Sequence, residues 1–154
     1  MCVPELDRIF EVYKNLYIGA YWPRLNFKKF QKIGITTIVN LMENNLYDPT
    51  HLGIAYLHRG FPDDTYPSHE FLNEILDFID NNLKNNGKVL VHCSMGISRS
   101  GGIIIAWLLK ENSSWSWRDA MFYVKKSKFI APAVEIRESI LDYLENVQNF
   151  RRNY

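Results

Sequence analysis

Lys88-Val-Leu-Val-His92 leads directly into Cys93-Ser-Met-Gly-Ile-Ser-Arg-Ser100, and an apolar pattern continues from there to about Lys110. The short aliphatic run predicts a buried strand, and the longer apolar run predicts a helix. A loop that enters a helix in this way presents backbone N–H groups that have no partner inside the helix. Because these amides lie at the positive end of the helix dipole, the segment predicts an anion-binding site.

Three residues of this loop have chemistry that suits an anion. Gly96 allows the backbone to turn tightly and to aim its amides inward. Arg99 carries a planar, permanently charged group that is suited to bidentate phosphate binding. The same surroundings lower the pKa of a thiol, because the thiolate is itself an anion. Cys93 is therefore predicted to be a nucleophilic thiolate at neutral pH.

Strands and helices alternate along the rest of the chain. Ser68 is predicted to begin a long helix that ends near Gly87, and Ser116 with Asp119 forms a capping-box pattern ahead of another helix. Further strands are predicted at residues 15–18, 35–41 and 54–57, and further helices at residues 27–33 and 134–147. This order predicts an α/β domain with a central, mostly parallel sheet flanked by helices.

Length and composition restrict the class of protein. The chain has 154 residues, of which 47% are hydrophobic, and this predicts one folded domain over residues 1–154. The formal net charge of +1 argues against a dedicated nucleic-acid-binding protein. No apolar run approaches the roughly 18 residues of a membrane span, and the N-terminus lacks the apolar core of a secretory signal. We therefore expect neither nucleic acid nor membrane among the partners.

The two cysteines, Cys2 and Cys93, indicate the redox environment. Two thiols cannot form a disulfide framework, and free thiols are typical of a reducing compartment. We therefore expect a cytoplasmic protein, with the nucleus as the alternative location. Cys2 is assigned no role.

The loop resembles the signature His-Cys-x-x-Gly-x-x-Arg-Ser/Thr of the cysteine-dependent protein tyrosine phosphatases. Its Gly-Ile-Ser-Arg-Ser ending is most similar to the dual-specificity branch, and residues 15–19, 34–41 and 78–80 resemble family segments in the same order and spacing. The resemblance implies a protein tyrosine phosphatase-like fold of the dual-specificity type. It also implies a phosphoric monoester hydrolase that requires no metal and no other cofactor.

The resemblance further implies a two-step reaction. Cys93 would attack phosphorus and form a phosphocysteine, while Arg99 and the loop amides hold the phosphate oxygens. Ser100 would donate a hydrogen bond to the cysteine sulfur and ease its departure in the second step. His92 would support the thiol indirectly without touching substrate. The implied phosphate-binding loop comprises Cys93, Ser94, Met95, Gly96, Ile97, Ser98 and Arg99.

A reaction of this kind needs a general acid that protonates the leaving oxygen. The family supplies an aspartate about thirty residues before the nucleophile, and two neighbours, Asp63 and Asp64, fit that distance. Asp63 with Pro67 matches the Asp-x-x-x-Pro pattern of compact members. Asp64 with Thr65 matches the pattern of mitogen-kinase phosphatases. We favour Asp63 as the general acid and keep Asp64 as the alternative.

Three functions are compatible with these residues. The first is a protein phosphatase that hydrolyses phosphotyrosine, and phosphoserine or phosphothreonine, in phosphorylated protein substrates. The second is a phosphatase of the same fold that acts on phosphoinositides or RNA 5′-phosphates. The third is a non-catalytic phosphate-binding module, which the presence of both Cys93 and Arg99 disfavours. Lipid-acting members usually place lysine at loop positions that are uncharged here, and this disfavours the second function. These positions are Ser94, Met95, Ile97 and Ser98.

Two features outside the loop allow more than one interpretation. Lys125, Lys126 and Lys128 are typical of a solvated helix end, but one of them could instead border the active site and meet an acidic substrate. Gly101 and Gly102 weaken a helix by about 1 kcal/mol each relative to alanine. Their presence indicates that another element approaches the helix closely.

Overall fold

The computed structural model describes residues 9–21 and 25–152. Within these residues the strands form one sheet in the order β1-β2-β5-β3-β4, in which only the β1–β2 pair is antiparallel. The predicted α/β architecture, with its mostly parallel sheet, is confirmed. The strands are β1 Ile9–Tyr13, β2 Leu16–Ala20, β3 Thr37–Asn40, β4 Ala55–His58 and β5 Val89–Cys93. The helices are α1 Phe27–Ile33, α2 His69–Lys84, α3 Arg99–Glu111, α4 Trp117–Lys125 and α5 Val134–Gln148, with a 3-10 turn at Thr50–Leu52.

Strand β5 lies in the middle of the sheet, and its residues alternate between two apolar cores. Val89 and Val91 pack into the core formed with α2, α3, α4 and α5. Leu90 packs on the opposite face, beside Phe30 of α1. Both faces of β5 are therefore covered, and its carboxyl end at Cys93 has a position determined by the whole core.

The caps that the sequence predicts are present. The Ser68 side chain accepts a hydrogen bond from the Phe71 amide at the start of α2. Ser116 and Asp119 form the complete capping box of α4. Gly34 ends α1 in the left-handed conformation, with φ of 97°. These are local interactions, and for that reason they can be read from neighbouring residues.

Strand β1 is an element that sequence analysis missed. It pairs with β2 in a hairpin whose two-residue turn is Lys14-Asn15, and Asn15 has φ of 64°. Asparagine tolerates positive φ better than other non-glycine residues, and it is typical of two-residue hairpin turns. Asn15 was therefore the signal that could have located this strand.

Helix α3 is buried from residue 100 to residue 109. A Cβ atom on Gly102 would lie 2.6 Å from Cγ2 of Ile136, and one on Gly101 would lie 3.0 Å from Cβ of Ile130. The expectation that the two glycines permit a close approach is confirmed. The close approach places α5, and the segment before it, directly against the helix that carries the loop.

Two remaining sequence expectations concern a membrane span and Cys2. In residues 9–21 and 25–152, none of the helices combines the length and the apolar character of a membrane span. Cys2 lies outside the described residues.

Candidate active site

The loop from Ser94 to Ser98 connects the end of the central strand to the start of α3. The Tyr21 amide donates hydrogen bonds to the carbonyl oxygens of Cys93 and Ser94, which ties the loop to the end of β2. Gly96 has φ of 69°, and a Cβ atom there would lie 2.8 Å from the carbonyl oxygen of Gly19. Glycine is required at this position for both its conformation and its size.

Cys93 is nearly buried, with 3% of its surface exposed. Its Sγ atom lies 3.2 Å from Oγ of Ser100, which is fully buried in the first turn of α3. A hydroxyl at this distance can donate to a thiolate. The pair that the family resemblance predicted is therefore in contact.

Arg99 is held at the cleft by backbone carbonyls. Its Nη1 atom donates to the carbonyl oxygen of Phe61 at 3.0 Å and lies 3.5 Å from that of Leu41. These contacts hold the guanidinium at the cleft, while its remaining N–H groups are available for other acceptors. Arginine is suited to this task because its planar group can bind carbonyls on one side and phosphate on another.

The two candidate acids reach the same cleft, which has a volume of about 390 Å³. Asp63 Oδ1 accepts a hydrogen bond from the Ser98 hydroxyl at 2.7 Å. Asp64 is exposed and has φ of 60°, a left-handed conformation in the turn between Pro62 and Thr65. The predicted residues that line the cleft are Asp63, Asp64, Cys93, Ser94, Met95, Ile97, Ser98 and Arg99. Gly96, Ser100 and His92 are buried.

His92 is buried on the sheet side of the loop. Burial lowers its pKa from 6.5 to about 4, against the effect of its hydrogen bond to the Cys93 carbonyl, and the positive charge of Arg99 lowers it further. Nδ1 lies 3.3 Å from the Cys93 carbonyl oxygen, which can only accept, so Nδ1 carries the proton of the neutral ring. Nε2 is then the acceptor, and the Tyr47 hydroxyl donates to it at 2.5 Å. Sequence analysis did not identify Tyr47.

Residues between α4 and α5 hold the loop from its other side. Lys128 Nζ donates to the carbonyl oxygen of Gly96 at 3.3 Å, and the Ala131 amide donates to that of Ile97 at 3.1 Å. The Ala133 amide donates to the Ser98 hydroxyl at 2.9 Å. Of the two interpretations of the lysines, the structure favours a lysine that borders the candidate site, and that lysine is Lys128. Lys125 and Lys126 are exposed.

The arrangement can bind and attack an anionic group. The unpaired amides of the loop and the Arg99 guanidinium supply the positive surroundings, and Cys93 supplies the nucleophile. Among the residues that the structure describes, no three His, Cys, Asp or Glu side chains group together as metal ligands would.

Comparison with known proteins identifies the family. Residues 16–146 match the model of the dual specificity phosphatase catalytic domain. The chain belongs to this family, within the cysteine-dependent protein tyrosine phosphatases, and the resemblance noted in the sequence is confirmed.

Curated relatives are longer proteins. The chain is 31% identical over 128 residues to mouse protein phosphatase Slingshot homolog 1, an alignment that covers 82% of this chain and 12% of that protein. It is 28% identical over 140 residues to human dual specificity protein phosphatase 1, covering 89% of this chain and 37% of that protein. The alignments therefore span well under half the length of these relatives.

Solved structures of similar length share the fold. The human tyrosine phosphatase-like serine/threonine/tyrosine-interacting protein is 30% identical, with a TM-score of 0.77 over 89% of this chain and 95% of that one. DUSP15 superimposes with a TM-score of 0.81 over 94% of this chain and 92% of that one, at 24% identity. The second match supports the fold alone.

Proposed function

We propose that this chain is a protein phosphatase that hydrolyses phosphotyrosine, and phosphoserine or phosphothreonine, through a phosphocysteine intermediate. The observation that carries the proposal is one cleft that contains the Cys93 thiol, the Arg99 guanidinium and a carboxylate, at the amino end of α3. A nucleophile, a phosphate-binding cation and an acid are the groups that the reaction requires. Membership of the dual specificity phosphatase family supports the proposal.

In the first step, the Cys93 thiolate attacks the phosphorus atom. An S–P bond forms while the ester P–O bond breaks, and Asp63 transfers its proton to the leaving oxygen. The loop amides and Arg99 bind the non-bridging oxygens. They stabilise the negative charge on these oxygens because the donors are already fixed in place. The products of this step are the dephosphorylated residue and phosphocysteine.

In the second step, water attacks the phosphorus atom of the phosphocysteine. The Asp63 carboxylate accepts a proton from the water, an O–P bond forms and the S–P bond breaks. Ser100, at 3.2 Å from Sγ, donates to the sulfur as it regains negative charge. Inorganic phosphate leaves, and Cys93 and Asp63 return to their starting protonation states.

Two features favour phosphoproteins over more highly charged substrates. Apart from Cys93 and Arg99, the loop side chains at the cleft are uncharged: Ser94, Met95, Ile97 and Ser98. Met95 is 52% exposed and presents an apolar surface at the cleft, which suits an aromatic or aliphatic phosphoester side chain.

We also propose a cytoplasmic location, because a reactive free thiol persists in a reducing compartment.

Release of inorganic phosphate from a panel of substrates tests the proposal. We expect turnover of phosphotyrosyl and phosphoseryl or phosphothreonyl peptides, and much less turnover of phosphoinositides and 5′-triphosphorylated RNA. Cys93→Ser should lose at least about 10⁴-fold in kcat and retain the thermal unfolding transition of the wild type. Phosphate release by Cys93→Ser at the wild-type rate would exclude the mechanism. Binding of phosphopeptides by the wild type without any phosphate release would favour the non-catalytic module.

A further inference from the structure

Ser98 is at the N-cap position of α3, but its side chain makes no hydrogen bond to a helix amide. Serine at an N-cap ordinarily accepts a hydrogen bond from an amide of the first turn. Here the hydroxyl connects two other segments. It accepts from the Ala133 amide at 2.9 Å and donates to Asp63 Oδ1 at 2.7 Å.

The direction of both hydrogen bonds follows from the atoms involved. The Ala133 N–H can only donate, so Ser98 Oγ is the acceptor in that bond. The hydroxyl hydrogen of Ser98 is directed to Asp63, and Oδ1 accepts it. Oδ1 can accept in both the ionised and the neutral state of the carboxyl. While Ser98 donates to Oδ1, the proton of the neutral carboxyl resides on Oδ2.

We propose that Ser98 is a positioning residue that fixes the Asp63 carboxyl at the cleft and leaves Oδ2 as its proton-bearing atom. The inference rests on the proposed phosphatase function, and it assigns the general acid to Asp63 rather than Asp64. An exposed aspartate without such a bond samples several rotamers, and ordering it at each turnover costs conformational entropy. Asp63 is exposed, and its bond to Ser98 replaces that freedom with one orientation.

The same arrangement leaves the phosphate-binding amides free. Because the Ser98 hydroxyl caps no amide of α3, the N–H groups of the first turn remain available for an anion. Ala133 holds Ser98 from the side of α5, so the acid, the loop and α5 are connected through one hydroxyl.

The dependence of rate on the leaving group reports on this role. When an acid protonates the departing oxygen, kcat/KM for aryl phosphates changes little with the acidity of the phenol that leaves. Without the proton, the phenol leaves as an anion, and poor leaving groups react more slowly than good ones. A variant that is only partly folded loses rate equally on every substrate, so the ratio between substrates is unaffected by folding.

The experiment compares kcat/KM across aryl phosphates of graded leaving-group acidity. The proteins are the wild type, Ser98→Ala, Ser98→Thr, Asp63→Asn, Asp64→Asn and the double variant Ser98→Ala/Asp63→Asn. We expect Ser98→Ala to lose about tenfold on the poorest leaving group relative to the best, the kinetic equivalent of one hydrogen bond. Asp63→Asn should lose roughly 10²-fold or more in the same ratio. Ser98→Thr, which keeps the hydroxyl, should resemble the wild type. Ser127→Ala, at an exposed serine, serves as the matched control.

Each outcome is decisive. If the double variant has the ratio of Asp63→Asn alone, Ser98 acts through Asp63, whereas a further multiplicative loss would contradict the inference. The inference would be overturned if Ser98→Ala had the wild-type ratio of kcat/KM between poor and good leaving groups. It would also be overturned if Ser98→Thr had the same ratio as Ser98→Ala. A larger loss in Asp64→Asn than in Asp63→Asn would also overturn it. The wild-type series separately tests the proposed function, since absence of turnover on every aryl phosphate would reject that function and the inference with it.

Discussion

Lys128 Nζ donates a hydrogen bond to the carbonyl oxygen of Gly96, in the centre of the proposed phosphate-binding loop. The same ammonium donates to the Phe129 carbonyl oxygen at 2.9 Å. Burial lowers the pKa of Lys128, and the negative charge of Cys93 acts in the opposite direction. A half-buried cation thus contacts this loop, and it belongs to a segment 32 positions away in the chain.

Replacing this cation should weaken anion binding. We expect Lys128→Met to raise the inhibition constant of inorganic phosphate about three- to tenfold, and this increase should persist at high salt, because a half-buried charge is only partly screened. Lys125→Met is the matched control, since Lys125 is exposed and lies over the Phe129 ring. Equal effects of the two variants would show that Lys128 contributes only to the overall charge.

Removal of the Ser100 hydroxyl should slow the second chemical step. In the proposed mechanism the hydroxyl stabilises the sulfur as the S–P bond breaks, so Ser100→Ala should lower kcat by about tenfold or more and leave kcat/KM close to the wild-type value. Rapid-mixing kinetics should then show a burst of the leaving group followed by slow turnover. Ser100→Thr keeps a hydroxyl and should not show the burst that we expect for Ser100→Ala. A fall in kcat/KM equal to the fall in kcat would argue against a role in the second step.

Buried His92 should make the fold less stable in acid. The native ring stays neutral down to a pKa of about 4, whereas the unfolded chain binds a proton near the ordinary value of 6.5. Between these values the unfolded state binds more protons, so the free energy of unfolding falls as the pH falls, by up to about 3 kcal/mol. Urea unfolding at pH 4.5 and pH 7 measures this loss. The loss should be smaller in His92→Asn, and an equal loss would assign it to other groups.

Gly102 should tolerate alanine less well than Gly101. Alanine gains about 1 kcal/mol of helix propensity at either position. At Gly102 the new Cβ atom would lie 2.6 Å from Ile136, and the repacking of that contact costs about 1–3 kcal/mol. At Gly101 the new Cβ atom would lie 3.0 Å from Cβ of Ile130, a milder contact that offsets the gain. We therefore expect Gly102→Ala to lower the free energy of unfolding and Gly101→Ala to change it little. Equal stabilisation by both substitutions would show that α5 can move away from α3.

The sequence analysis succeeded where the information is local. The strand-loop-helix segment that contains Arg99, the Ser68 cap and the capping box at Ser116 each depend on residues within a few positions of one another. The signature also identified the family, because Cys93, Gly96 and Arg99 must occur at fixed spacing for one loop to surround a phosphate. The β1 hairpin was missed because its strand is short and its turn depends on a single asparagine.

The sequence by itself thus determined the family, the order of strands and helices after β1, and the residue types of the loop. Only the tertiary structure decided which distant side chains reach that loop. Ser98 and Asp63 are 35 positions apart, Gly96 and Lys128 are 32 apart, and His92 and Tyr47 are 45 apart. Local patterns report the preferences of the backbone and of neighbouring side chains. Contacts across such distances depend on how the sheet and helices pack around both cores, which no short stretch of residues encodes.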